Sequence, residues 1–265
     1  MITLKKYSGY LIDLDGTIYE GSRSLPKAQE FMQLLINSEK PYLFVTNNAT
    51  RTPEQIANDL QQNHHIPTTA EHVFSSALAT ADYLKSSFLN QKRLIKILLV
   101  GEAGLIQALS KTDFKIVNSA RENPDYCVVG LNRKVTYDCL KQAVFSIQHG
   151  AKFIATNTDA LIPTQEGRIP GAGALVQFIK YATKTDPVII GKPSRIIMEK
   201  ALKRASLSKE NSLMIGDGLI TDIQAAKNVG MDSLLTLTGL STVSTIKALG
   251  IEPTYVVNDL SEWKV

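Results

Sequence analysis

Short apolar segments alternate along the chain with longer amphipathic ones. Helical patterns lie between most of the apolar segments; one of them, TPEQIANDLQQN, begins with Thr52 as N-cap, Pro53 at the first helical position and Gln55 closing a capping box. Strands that alternate with helices predict an α/β fold whose mostly parallel sheet is covered on both faces. The apolar segments that predict strands are YLID, YLFVTN, IKILLVG, YCVVGL, KFIATN, PVIIG, SLMIGD and SLLTLTG.

Polar or glycine-containing turns follow four of these predicted strands. Ligands of open parallel sheets bind in the loops at the carboxyl ends of the strands. If the four strands are neighbours, their turns meet at one sheet edge, and we expect the polar side chains of the turns to gather there. Those side chains are Asp13, Asp15, Thr46, Asn47, Lys192, Asp217 and Asp222.

The stretch between the second and third of these turns is long enough to form a domain of its own. It contains its own alternation of strands and helices and none of the four turns. We therefore predict a Rossmann-like parallel-sheet core from residues 1–80 and 183–265. Residues 81–182 would form a second, inserted α/β cap domain.

The acidic residues in these turns indicate a metal. Asp13 and Asp15 are two residues apart, so in extended backbone they point to the same side. Four carboxylates at one edge would repel each other strongly without a cation. Mg²⁺ prefers such oxygen ligands and typically uses one or two carboxylates together with water and substrate phosphate. Because Lys192 adds a positive charge and Thr46 a hydroxyl donor, the set predicts a phosphoryl pocket beside a metal.

Two aspartates at the end of the first strand also fit a two-step hydrolysis. One carboxylate can attack phosphorus and form an aspartyl-phosphate, and the other can carry the proton that the leaving oxygen needs. Gly16 allows the sharp turn that would direct backbone N–H groups at the phosphate oxygens. The residues alone leave open which aspartate plays which part.

Four short motifs in order resemble those of the haloacid dehalogenase-like superfamily. They are DLDGT at 13–17, VTN at 45–47, GKP at 191–193 and GDGLITD at 216–222. Longer stretches, including IDLDGTIYEG, FVTNNATRTPEQIA and PGAGAL, resemble its NagD-like branch, class IIA. The resemblance covers essentially the whole chain, and four motifs separated by a cap-sized insert are highly specific.

The resemblance implies a role for each acidic residue. Asp13 would be the nucleophile and a metal ligand. Asp15 would be the general acid and base, and its backbone carbonyl would also bind the metal. Asp217 would bind Mg²⁺, and Asp222 would orient metal-bound waters or neighbouring loops.

The resemblance also implies how phosphate is held and which substrates are used. Thr46 and Asn47 would bind phosphate, and Lys192 would bridge phosphate and Asp13. The expected function is Mg²⁺-dependent hydrolysis of small phosphate monoesters: sugar or acid-sugar phosphates, with p-nitrophenyl phosphate as a substrate in vitro. Arg133 and Arg168 are candidates for binding a substrate carboxylate. The alternative for both is that they are solvated surface charges.

Other functions remain open at this stage. Nucleotides or pyridoxal phosphate are alternative substrates; pyridoxal phosphate-selective relatives carry a histidine where Ile162 stands here. A phospho-aspartate switch of the receiver type gathers similar groups, but it needs no acid such as Asp15 and is about half this length. A catalytically silent binding protein is a third alternative.

Composition narrows the remaining choices. Of the 265 residues, 44 % are hydrophobic and 20 % charged, which is ordinary for a soluble globular protein. The net charge of +4 is spread along the chain and is too weak to indicate nucleic acid, and no apolar run is long enough for a membrane span. Cys127 lies in an apolar run, so we expect a buried free thiol and a cytoplasmic protein. The expected partner is a small phosphate monoester, with self-association left open.

Overall fold

The chain folds into two compact units. The computed structural model describes residues 5–87, 93–164 and 167–265. The first unit consists of Met1–Thr46, Glu54–Phe74 and Lys192–Val265. The second consists of Asn47–Pro53 and Ser75–Gly191.

Strands form two parallel sheets and two small hairpins in the described residues. They are β1 (Gly9–Ile12), β2 (Tyr19–Glu20), β3 (Arg23–Ser24), β4 (Tyr42–Thr46), β5 (Val73–Ser75), β6 (Ile95–Val100), β7 (Phe114–Val117), β8 (Tyr126–Val129), β9 (Lys152–Ala155), β10 (Leu161–Thr164), β11 (Gly167–Pro170), β12 (Val188–Ile189), β13 (Ser212–Gly216), β14 (Asp232–Thr236) and β15 (Tyr255–Val257).

Helices separate most of the strands, as the sequence pattern predicts. They are α1 (Ala28–Asn37), α2 (Pro53–Gln62), α3 (Ser76–Ser87), α4 (Ala103–Ser110), α5 (Tyr137–Gln148), α6 (Ala172–Thr183), α7 (Arg195–Arg204), α8 (Gln224–Val229) and α9 (Val243–Leu249). A π-helical turn, Leu219–Ile223, precedes α8. Within the described ranges, no helix combines the length and apolar character that crossing a bilayer requires.

The first unit is built on a six-stranded sheet in the order β15-β14-β13-β1-β4-β5. Its central strand, β1, pairs in parallel with β13 on one side and β4 on the other. Every residue of these three strands is buried, which explains why they appear in the sequence as continuous apolar runs. Large buried side chains such as Phe31, Phe44 and Leu60 fill the core next to this sheet.

The second unit has its own five-stranded sheet in the order β12-β9-β8-β6-β7. Helices α5 and α6 contribute Ile147, Val176 and Ile179 to a core that also contains Cys127 and Phe153 from the sheet. Cys127 is a buried free thiol, as expected. Strands β10 and β11 form a separate antiparallel hairpin. The prediction of an α/β fold with parallel sheets is therefore confirmed.

One predicted strand belongs to a different sheet from the one expected. The segment PVIIG forms β12, which pairs with β9 in the second unit, so the turn that carries Lys192 does not follow a strand of the first sheet. Short apolar strands look alike in both sheets, because the pattern records burial and not the neighbouring strand. The condition that the four strands are neighbours is therefore not met at this one.

The limits of the second unit also differ from the expected 81–182. Residues 80 and 81 lie inside α3, and residues 182 and 183 lie at the end of α6, whereas the second unit consists of Asn47–Pro53 and Ser75–Gly191. The observed limits of the longer segment fall within β5 and in the turn after β12, and the apolar pattern does not distinguish such positions from connections inside one unit. The assignment of the second unit as a substrate-specificity domain stays a prediction.

Candidate active site

Two neighbouring strands deliver two carboxylates to the same edge of the first sheet. Asp13 follows β1 and Asp217 follows β13, and the two strands are in register with Ile12 opposite Ile215. The Asp13 N–H donates to the Ile215 carbonyl at 2.8 Å, so the ladder extends to the aspartate. The parallel pairing therefore fixes how close the backbones of these two residues come.

Lys192 is the buried cation of this edge, with only 2 % of its surface exposed. Its Nζ donates to Oδ1 of Asp13 at 2.6 Å, to Oδ1 of Asp222 at 2.6 Å and to the Val45 carbonyl at 2.7 Å. Three acceptors match the three protons of an ammonium group. Burial lowers the pKa of Lys192, but the two carboxylates raise it by more, so the side chain stays charged.

Three buried carboxylates lie close together at this edge, and two of them bind Lys192. Oxygen atoms of Asp13, Asp217 and Asp222 all lie within 4.8 Å of one another. Burial, with the charge of Asp222, raises the pKa of Asp13 well above its usual range despite Lys192. Burial and Asp222 likewise raise the pKa of Asp217 to about 7. When its carboxylates are deprotonated, the cluster holds more negative than positive charge, and its hard oxygen donors fit a divalent cation such as Mg²⁺.

Asp222 anchors Lys192 from the π-helical turn. Its Oδ2 accepts the Gly218 N–H at 3.0 Å and the Thr221 hydroxyl at 3.3 Å, while Oδ1 accepts from Lys192. The side chain is fully buried. This carboxylate therefore fixes the buried lysine and the start of the π-helical turn together.

The loop after β1 turns sharply at Gly16. Gly16 has φ of 84° and donates its N–H to the Tyr19 carbonyl at 2.7 Å. A Cβ at this position would overlap the carboxylate of Asp217, so both the conformation and the space require glycine. Asp15, just before this turn, is exposed. An exposed carboxylate beside the buried cluster can exchange protons with solvent.

The two predicted phosphate-binding residues of the second motif have different surroundings. Thr46 is the last residue of β4 and is buried at the same sheet edge, next to the Val45 carbonyl that Lys192 binds. Asn47 donates its amide to both carboxylate oxygens of Asp159, at 3.2 and 3.1 Å. The Asn47 carbonyl accepts from Ser76 and Asn157. The contact between Asp159 and this amide was not predicted from the sequence.

The structure thus brings together Asp13, Lys192, Asp217 and Asp222, with Thr46 at the same edge. The turn after β14 was not predicted to contribute to the site. Its Leu240 N–H donates to Oδ2 of Asp217 at 2.7 Å. The sequence contains a signal for this turn, because SLLTLTG ends in the same kind of polar, glycine-containing turn as the four strands that precede the predicted site residues.

The two candidate arginines also differ. Arg133 is held by Glu102, with its Nη2 2.6 Å and its Nε 3.0 Å from the two carboxylate oxygens. Arg168 is exposed on β11. The Arg133 side chain therefore forms an ion pair with a residue of its own unit.

Comparison with known proteins places these motifs in a family. Residues 10–115 match the family model described as haloacid dehalogenase-like hydrolase, and residues 189–263 match the model described as HAD-hydrolase-like. These two matches contain all seven residues of the predicted phosphate and metal site.

Curated relatives cover nearly the whole chain. This chain is 40 % identical over 260 residues to the 5'-nucleotidase YutF of Bacillus subtilis, and the match covers 98 % of both chains. It is 42 % identical over 258 residues to the acid sugar phosphatase of Staphylococcus epidermidis, covering 97 % of both chains.

Solved structures show the same fold. A single mutant of the thermostable NPPase from Geobacillus stearothermophilus has a TM-score of 0.89 at 42 % identity, with 98 % of this chain and 99 % of that chain covered. NagD of E. coli K-12 has a TM-score of 0.88 at 29 % identity, covering 98 % and 99 %. The glycerol phosphate phosphatase of Mycobacterium tuberculosis, solved with magnesium, has a TM-score of 0.89 at 31 % identity, covering 97 % and 76 %.

Proposed function

Because the chain belongs to the NagD-like branch, class IIA, of the haloacid dehalogenase-like hydrolases and is a phosphoric monoester hydrolase, we propose that it cleaves small phosphate monoesters through a phosphorylated Asp13. The observation that carries the proposal is the buried Lys192, bound at 2.6 Å to both Asp13 and Asp222. Membership of a hydrolase family also sets aside the receiver-type switch considered from the sequence alone.

Asp13 is the nucleophile in this proposal. Lys192 holds Oδ1 of Asp13, which orients the carboxylate and leaves Oδ2 for attack on phosphorus. The bond from phosphorus to the ester oxygen breaks as the Asp13–phosphorus bond forms. Lys192 offsets the negative charge that the nucleophile and the phosphoryl group bring together.

Asp15 carries the proton in both steps. It protonates the leaving oxygen when the ester breaks. It then accepts a proton from the water that attacks phosphorus, while the bond from phosphorus to Asp13 breaks and inorganic phosphate leaves. The exposed position of Asp15 lets it exchange that proton with solvent between turnovers. Thr46 contributes a hydroxyl donor to the phosphoryl oxygens. Asn47, the next residue of the same motif, is the second proposed phosphate-binding residue.

Mg²⁺ is the proposed cofactor. Asp13, Asp217 and the backbone carbonyl of Asp15 would hold it, and Asp222 would fix the surrounding loops. When bound, it supplies positive charge that neutralises the phosphoryl oxygens and the carboxylate cluster. Support comes from the buried, electrically unbalanced carboxylates and from the magnesium in the mycobacterial relative.

Acid-sugar and sugar phosphates are the proposed substrates, with p-nitrophenyl phosphate cleaved in vitro. The names of the staphylococcal and Geobacillus relatives support this choice. Nucleoside monophosphates are the second candidate, which the name of the Bacillus subtilis relative favours at a similar identity. Pyridoxal phosphate ranks lower, because Ile162 stands where selective relatives have histidine.

A substrate panel tests the proposal. Phosphate release is measured from acid-sugar phosphates, sugar phosphates, nucleoside monophosphates, pyridoxal phosphate and p-nitrophenyl phosphate, with Mg²⁺ or with EDTA. We expect Mg²⁺-dependent release, with the highest kcat/KM for an acid-sugar or sugar phosphate and none above background with Asp13→Asn. Undiminished release in EDTA would contradict the metal role, and a clear preference for pyridoxal phosphate would contradict the substrate class.

A further inference from the structure

The turn at residues 237–241, which follows β14, contacts both loops that carry the acidic cluster. Leu240 donates its N–H to Oδ2 of Asp217 at 2.7 Å. Thr238 donates its hydroxyl to the Gly16 carbonyl at 2.8 Å. Ser241 accepts the Leu219 N–H at 3.0 Å. This one turn therefore connects the loop after β1 to the loop after β13.

Two glycines let the backbone enclose the Asp217 carboxylate. A Cβ added at Gly16 or at Gly239 would overlap that carboxylate. The Leu240 side chain is 67 % exposed, so packing places little demand on it. What this part of the turn supplies to Asp217 is its backbone: close approach at Gly239 and a hydrogen-bond donor at Leu240.

We propose that the turn at 237–241 is a positioning element for the metal-binding carboxylate, in which the Leu240 N–H fixes Asp217 and the Thr238 hydroxyl fixes the Gly16 carbonyl. The inference rests on the proposed metal role of Asp217. Repulsion from Asp13 and Asp222 favours rotation of the Asp217 side chain away from the cluster. The N–H bond opposes that rotation and holds the carboxylate ready for a divalent cation.

Groups that orient metal ligands typically contribute 10- to 100-fold in metal affinity. A charged acceptor also makes the Leu240 bond stronger than one between neutral groups. The hydroxyl bond of Thr238 to a neutral carbonyl is weaker, and its loss is expected to cost about 2- to 10-fold. The turn should therefore affect Mg²⁺ binding in the absence of substrate.

The first test compares Leu240→Pro with Leu240→Ala. Proline removes the N–H donor, whereas alanine keeps it and removes only the exposed side chain. Mg²⁺ binding to the substrate-free protein is measured by isothermal titration calorimetry, and thermal melts in EDTA establish that each variant folds. We expect the Mg²⁺ Kd to rise about 10- to 100-fold for Leu240→Pro and to stay within about twofold of the native value for Leu240→Ala.

The second test covers the case in which proline prevents folding. Thr238→Val keeps the shape of the side chain and removes the hydroxyl, and Thr238→Ser restores the hydroxyl. We expect the valine variant to bind Mg²⁺ about 2- to 10-fold more weakly and the serine variant to recover most of the loss. A purely structural role for the turn would lower the melting temperature in EDTA without changing the Mg²⁺ Kd.

Asp217→Asn separates failure of this inference from failure of the proposed function. If Asp217→Asn binds Mg²⁺ as tightly as the native protein, the proposed metal role of Asp217 is wrong. If Asp217→Asn weakens binding but Thr238→Val and a folded Leu240→Pro bind normally, the positioning role is overturned and the proposed function stands.

Discussion

The ammonium nitrogen of Lys192 lies 2.6 Å from Oδ1 of Asp13, although the two residues are 179 positions apart and both side chains are buried. The same nitrogen lies 2.6 Å from Asp222, so one buried cation faces two carboxylates. Asp217 adds a third carboxylate to the cluster. The crowding of three carboxylates beside a buried cation is the physical basis of the first three predictions below.

Removing the cation should destabilise the first unit. Lys192→Met leaves Asp13 and Asp222 buried without their partner, and breaking a buried ion pair in this way costs about 3–5 kcal/mol. We expect the free energy of unfolding in EDTA at pH 7 to fall by about that amount in urea titrations. The exposed Lys227 offers a matched control, and Lys227→Met should change stability by no more than about 0.5 kcal/mol. Equal losses for both variants would contradict the buried pair.

The contribution of Asp217 to stability without metal should fall as the pH rises from about 4 to about 7. Burial raises the pKa of Asp217 to about 7, so the folded state holds a proton that the unfolded chain has already released. The stability that this proton contributes is complete below the pKa that Asp217 has in the unfolded chain. It is lost as the pH rises through the pKa of Asp217 in the folded protein. Chemical denaturation in EDTA at several pH values measures the slope, which Asp217→Asn should flatten.

The stabilisation that Mg²⁺ produces should increase as the pH rises. Deprotonated carboxylates bind the ion and protonated ones do not, so the rise in melting temperature that Mg²⁺ produces should be larger at pH 8 than at pH 5. Asp217→Asn should reduce the Mg²⁺-dependent shift at pH 8. A shift that is the same at both pH values would argue against Asp217 as a ligand.

Asp15→Asn should distinguish leaving groups. The variant loses the proton carrier, so turnover of sugar phosphates, whose leaving oxygens are basic, should fall steeply. The first step with p-nitrophenyl phosphate should suffer less, because p-nitrophenolate needs little protonation. Comparison of burst-phase rates for the two substrates checks this difference, and equal losses of the first-step rate would contradict a general-acid role.

Arg168 and Arg133 should respond differently to substitution. Glu102 already occupies Arg133, so Arg133→Ala should leave the relative KM values of different substrates unchanged. Arg168→Ala should raise KM for an acid-sugar phosphate but not for the matched neutral sugar phosphate if Arg168 reads the substrate carboxylate. An unchanged ratio of the two KM values for Arg168→Ala would assign Arg168 to the solvated surface.

The sequence predicts the α/β fold and most of the cluster because each signal is local. The D-x-D at the end of β1 and the aspartate after β13 follow buried apolar strands, and the strands lie side by side. Lys192 lies at this edge although the strand before it belongs to the other sheet, so neighbouring strands do not explain its position. The bonds from Leu240 to Asp217 and from Asn47 to Asp159 join segments distant in sequence and depend on side-chain direction, which no local pattern records.

The most direct test of the central claim is to locate the covalent phosphate. The protein is mixed with radiolabelled phosphate ester and Mg²⁺, quenched in acid within milliseconds, digested and mapped by mass spectrometry. We predict label on Asp13, more of it in Asp15→Asn because the second step is slowed, and neither label nor turnover in Asp13→Asn. Label on another residue, or near-normal turnover by Asp13→Asn, would contradict the account.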